Sequence, residues 1–163
     1  MDLYGWVVFV HAATILLFFI AHGTSMAVAF ALTREREPAR VRALLELSRF
    51  SLGVPAFACV IIGLLAGIVA AFMGDLWGEA WVWISLVLFV LIGGLMTPLA
   101  SLRLQPMRTA AGMASSGPKP VAAQPEDPAE LARLLDAWNP VPLAAAGLGG
   151  FLIILWLMLA KPF

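Results

Sequence analysis

Four stretches of the chain are predominantly apolar, and none of them contains Asp, Glu, Lys or Arg. They run from about Leu3 to Leu32, Leu52 to Met73, Trp81 to Leu102 and Val141 to Ala160. Each reaches the length of about 20 residues that a helix needs to cross hydrocarbon. The runs are too long and too uniform for the alternating strands of a membrane barrel. Backbone groups in lipid must be satisfied within their own segment, so each run is read as a helix. The predicted fold class is all-α. It is a four-transmembrane-helix bundle with a juxtamembrane helix after span one and an interfacial helix before span four, all in one membrane domain over residues 1–163.

The polar stretches between the spans differ from one another. "EPARVRALLELSRF" places Pro38 at a first helical turn, where its missing N–H costs nothing. Val41, Leu44, Leu45 and Ser48 fall on one face of this juxtamembrane helix, with arginines beside them to meet anionic headgroups. Pro55 then kinks the entry to span two. Residues from about 109 to 126, rich in Ala, Gly, Ser and Pro and without periodicity, read as a flexible linker. In "DPAELARLLDAW", Asp127 can cap a helix, Pro128 suits its first turn and Glu130 completes a capping box. Leu131, Leu134, Leu135 and Trp138 form a stripe that should lie along the inner membrane surface.

Composition agrees with this reading. The chain has 163 residues, 62% hydrophobic and 12% charged, with ten basic and ten acidic side chains. Net charge is zero, so no global field draws nucleic acid. Cys59 is the only cysteine, which excludes an intrachain disulfide and a thiolate metal cluster. "AFA" at residues 29–31 resembles a signal-peptide cleavage site. The absence of a basic leading region, the length of the apolar run and the arginines that follow it oppose that reading.

The charges set a direction. Arg34, Arg36, Arg40, Arg42 and Arg49 follow span one, and Arg103, Arg108, Lys119 and Arg133 follow span three. The loop between spans two and three holds Asp75 and Glu79 and no base. The expected location is the bacterial cytoplasmic (inner) membrane, with both termini on the non-cytoplasmic side. Trp77, Trp81, Trp83, Tyr4 and Trp6 then anchor the outer boundary, and Trp138 the inner one.

Small residues mark helix contacts. Gly63 and Gly67 form a GxxxG pair, and Ala146 and Gly150 a second small pair beside Gly147 and Gly149. Such residues let helices approach closely in lipid, within the bundle or in a homodimer.

His11 and His22, the two histidines of the chain, both lie in span one. At 100° per residue their spacing is three turns plus about 20°, so they share one face, with an axial separation of about 16 Å. Both rings should turn away from lipid. Each imidazole can hydrogen-bond a neighbouring helix, through Ser85, Thr97 or a backbone carbonyl. Each can also ligate a cofactor, most naturally haem iron in an apolar bundle, or copper, which His and Met suit. A second ligand would come from Met73, Met96, Met158, Lys161 or a twin chain, and Met96 is nearest to His22 in depth. A proton relay usually needs carboxylates, and the spans have none. Hydrolase triads, phosphate loops and zinc spacings are absent from the sequence.

"FVHAA" in span one, "LSRFSLGVPAFACVIIGLLAG" entering span two and the ending "LMLAKPF" carry a resemblance. The chain resembles a bacterial family of predicted integral membrane proteins, a domain of unknown function. That family is placed in the superfamily of copper-resistance protein D and HemJ-type protoporphyrinogen oxidase. The resemblance implies four helices and a span-one histidine, which maps to His11. In the HemJ branch that histidine is linked to b-type haem, with a lysine deeper in the bundle. The copper branch implies metal traffic across the membrane. This chain has no lysine in spans two and three, and Lys161 stands at the outer end of span four.

Three functions follow as expectations. The first is a haem-b-binding, redox-linked membrane protein with His11 as the first candidate ligand, His22 as the second and Met96 as a further one. The second is a non-catalytic subunit of a larger membrane complex. The third is a copper-handling protein with His11 and His22 as metal ligands.

Overall fold

The structure, a computed structural model, describes residues 2–51, 53–114 and 122–162. Leu52, where span two is expected to begin, lies outside the described residues, as do Lys119 and residues 115–121 of the expected linker. The helices are α1 (Leu3–Ala31), α2 (Pro38–Ser51), α3 (Val54–Met73), α4 (Ala80–Ala110), α5 (Pro128–Asp136) and α6 (Val141–Ala160). Among the described residues there is no strand. Four helical stretches, containing α1, α3, α4 and α6, are long and apolar enough to cross a membrane.

Local chemistry explains the boundaries. Asp2 caps α1, its carboxylate accepting the Gly5 N–H at 2.8 Å. Pro38 opens α2 as expected. Pro55 stands in the first turn of α3 rather than kinking it, because the N–H it lacks has no intrahelical partner there. A single 3-10 turn, Leu76–Gly78, joins α3 to α4, entered through Asp75 in the left-handed region at φ 52°.

The helices associate as two close pairs. α1 packs along α3, and α4 along α6. Glycines permit both approaches. A Cβ on Gly63 would lie 2.9 Å from Thr14 Oγ1 and Ile15 Cδ1 of α1, and one on Gly67 would lie 2.8 Å from His11 Nδ1. A Cβ on Gly150 of α6 would collide with Ile92 of α4. The GxxxG face is thus occupied within the chain. Side chains bridge the two pairs. Phe18 and Phe19 of α1 meet Phe151 of α6 edge-on at 5.5 and 5.2 Å. Ala71 of α3 packs with Trp81, Val82 and Leu157.

The arginine-rich end differs from expectation in three ways. α4 continues two turns past Leu102, and Leu104, Met107, Ala110, Ala111 and Met113 are buried. The first residues assigned to the linker are therefore helix and core, closed by Gly112 at φ 73°. The α5 stripe does not face lipid: Leu131, Leu135 and Trp138 are buried against Val28, Leu32, Val41, Leu45, Leu104 and Met107. The capping box is half made. Asp127 accepts the Glu130 N–H at 3.0 Å, but the Glu130 carboxylate is taken by Arg133, and the Asp127 N–H bonds Ala110 O at 2.9 Å.

Candidate functional site

The two histidines share a helix but not an environment. His11 belongs to the close α1–α3 contact. Its Nδ1 lies 2.7 Å from the Gly63 carbonyl. A carbonyl only accepts, so Nδ1 carries the proton in this bond. Gly67 gives the ring its room. Of the anticipated bonding partners, a backbone carbonyl is the one used. Thr97 donates to Gly93 O of its own helix at 2.9 Å, and Ser85 Oγ is buried with no partner among the described residues.

His22 lies between the two helix pairs. Phe18 stacks on its ring at 5.8 Å, and Phe151 meets it edge-on at 5.5 Å. A Cβ on buried Gly147 of α6 would lie 3.2 Å from His22 Nε2 and 3.0 Å from Met96 Cε. The imidazole and the thioether end therefore converge on one glycine notch, from α1 and α4 respectively. The His22 ring makes no hydrogen bond with any described residue. A polar ring in apolar surroundings without a partner needs a reason.

The other candidates lie elsewhere. Lys161 places Nζ 5.7 Å from the centre of the Trp81 ring, a cation–π contact at the tryptophan-rich end. Met158 packs near the Ala71–Trp81 cluster at that same end, and Met73 closes α3. Trp83 Nε1 donates to Trp77 O at 3.0 Å. Trp138 donates Nε1 to Ala29 O at 2.7 Å, closing the end of α1 from inside the protein. Two surface clefts, one near Arg34 and Arg40 and one between α1 and α3 near Trp6 and Ala66, are open grooves, and neither is lined by a histidine. Among the described residues no three His, Cys, Asp or Glu side chains gather into a metal-binding group. Sequence reasoning missed Gly147 and Phe151 as parts of the site. The small-residue run around Gly147 was the available signal, but the notch faces a particular ring only once α6 is packed.

Four apolar helices, glycine-notched contacts and polar rings turned to protein define an integral membrane protein with several spans. Residues 6–162 match the family model described as Predicted integral membrane protein (DUF2269), and the chain belongs to that family. No curated protein and no solved structure matches it.

Proposed function

We infer that the protein is a small haem-b-binding, redox-linked protein of the bacterial inner membrane, with His22 and Met96 as the haem ligands. The observation that carries this reading is the His22 imidazole, without a hydrogen-bond partner among the described residues, facing the Met96 thioether end across the Gly147 notch. Imidazole and thioether are both donors that haem iron accepts, so the donor chemistry fits the group. The chemistry such a group supplies is a reversible one-electron iron couple. The chain's own residues do the rest. His22 would present an imidazole nitrogen to such a group, and Met96 would add a soft thioether donor. Phe18 and Phe151 pack against the His22 ring, and Gly147, which has no side chain, lets the imidazole and the thioether end approach each other. His11, about 16 Å away along the axis, cannot share an iron with His22. The arginine-rich end supports a cytoplasmic placement for the end opposite the termini.

A second reading is favoured by the His11–Gly63 bond. In it both histidines serve packing, and the protein is a non-catalytic subunit of a larger membrane complex. Purified protein decides between them by a pyridine haemochrome assay together with metal analysis. Haem approaching one per chain supports the first reading. A colourless preparation that retains a fixed partner supports the second. Near-stoichiometric copper without haem points instead to a copper-handling protein.

A further inference from the structure

Arg108 is anomalous. Its side chain is only 8% exposed, and its Nε is buried without a hydrogen-bond partner. Met107 and Ala110, its neighbours on the last turns of α4, belong to the core. A charged group in such a place is costly unless it is paired. The like charge of Arg49 also bears on it. Arg49 Nη1 donates to Ala114 O at 3.4 Å, next to Met113, whose N–H bonds Arg108 O at 2.9 Å. Two cations therefore share one corner between α2 and α4.

The chain has no carboxylate to spare for them. Glu35, Glu37, Glu46, Glu126, Glu130 and Asp136 are each in an ion pair with Arg36, Arg40, Arg42 or Arg133. Asp127 caps α5. Asp2, Asp75 and Glu79 belong to the opposite end of the bundle. Leu52 and residues 115–121, "SSGPKPV", contain no Asp or Glu. An anion from outside the chain would complete the charge pairing here.

We propose that Arg108 and Arg49 form a binding site for a phosphate group at the arginine-rich end of the bundle. Two guanidinium groups offer forked donors that match tetrahedral phosphate oxygens. The site lies just beyond Leu102, where the apolar run of α4 ends, at the depth of lipid headgroups. A lipid phosphodiester and free inorganic phosphate present the same chemistry.

The test is thermal unfolding of the full chain in phosphatidylcholine nanodiscs, with phosphatidylglycerol or inorganic phosphate added at constant ionic strength. Wild type and Arg34→Gln, which alters an exposed arginine, should show a raised midpoint. Arg108→Gln and Arg49→Gln should need about tenfold more of the same additive for half the shift, as loss of one charge-assisted bond implies. Stabilisation by phosphatidylglycerol alone assigns the site to a lipid headgroup, and stabilisation by inorganic phosphate assigns it to the free ion. If Arg108→Gln does not fold, Arg49→Gln decides, because that side chain is exposed. No shift with either additive, or equal shifts in wild type and Arg49→Gln, overturns the proposal.

Discussion

His11 Nδ1 lies 2.7 Å from the carbonyl oxygen of Gly63, a residue 52 positions later in the chain. The bond joins α1 to α3 where Gly67 allows the ring to lie against the helix backbone. Gly67→Ala would place a methyl 2.8 Å from that nitrogen. Overpacking of this kind costs about 1–3 kcal/mol. The loss should appear as earlier unfolding in a denaturing-detergent titration. Gly23→Ala, with nothing within 4 Å, is the control and should unfold as wild type does or slightly later.

Trp138→Phe isolates a different bond. The Ala29 carbonyl lies in the last turn of α1, where helix carbonyls lose their intrahelical partners, and the Trp138 indole supplies the donor at 2.7 Å. The ring is buried, so Phe keeps most of the packing. The expected destabilisation is about 1–2 kcal/mol, accompanied by faster proteolysis of the 122–136 segment.

The course of α1 shows what was legible in the sequence. Its length and that of α6 follow directly from predominantly apolar runs, and α6 spans Val141–Ala160 as read. α4 overshoots because Leu104, Met107 and Ala110 continue the helix as a stripe rather than as a run. The stripe of α5 was visible, but a stripe shows which face is apolar and not what covers it. Protein covers it here. Placing His11 and His22 about 20° apart on a wheel was sound geometry. They nevertheless meet different partners, because α1 leans on α3 at one level and faces α4 and α6 at another. A wheel gives an angle and not a neighbour.

Glu35 gives a pH dependence at the entry to α2. Its carboxylate accepts the Glu37 and Arg36 N–H groups, each at 3.0 Å. Those bonds, with Arg40 nearby, hold its pKa below the ordinary glutamate value. A lowered folded value means that the stabilisation is full above the unfolded pKa and is lost as pH falls through the folded one. Wild type should therefore lose its advantage over Glu35→Gln on acidification below about pH 4.5. Thermal midpoints measured down the acid range check this, and a gap between the two proteins that widens towards low pH has the wrong sign.

The Ser25–Ser48 pair probes the α1–α2 contact. The two hydroxyls lie 2.9 Å apart, and Ser48 is 2% exposed. Ser48→Ala should cost about 1 kcal/mol, and the double variant with Ser25→Ala should cost less than the sum of the single ones. A double-mutant cycle in mixed micelles measures the coupling.

The central claim concerns the imidazole and thioether that converge on Gly147, and a dithionite-reduced minus oxidised absorption spectrum addresses it most directly. Wild-type protein should show a b-type band. His22→Ala should abolish it, Met96→Leu should shift the redox midpoint downward, and His11→Ala should leave the band in place. No band in wild type, or a band that survives in His22→Ala but vanishes in His11→Ala, contradicts the account.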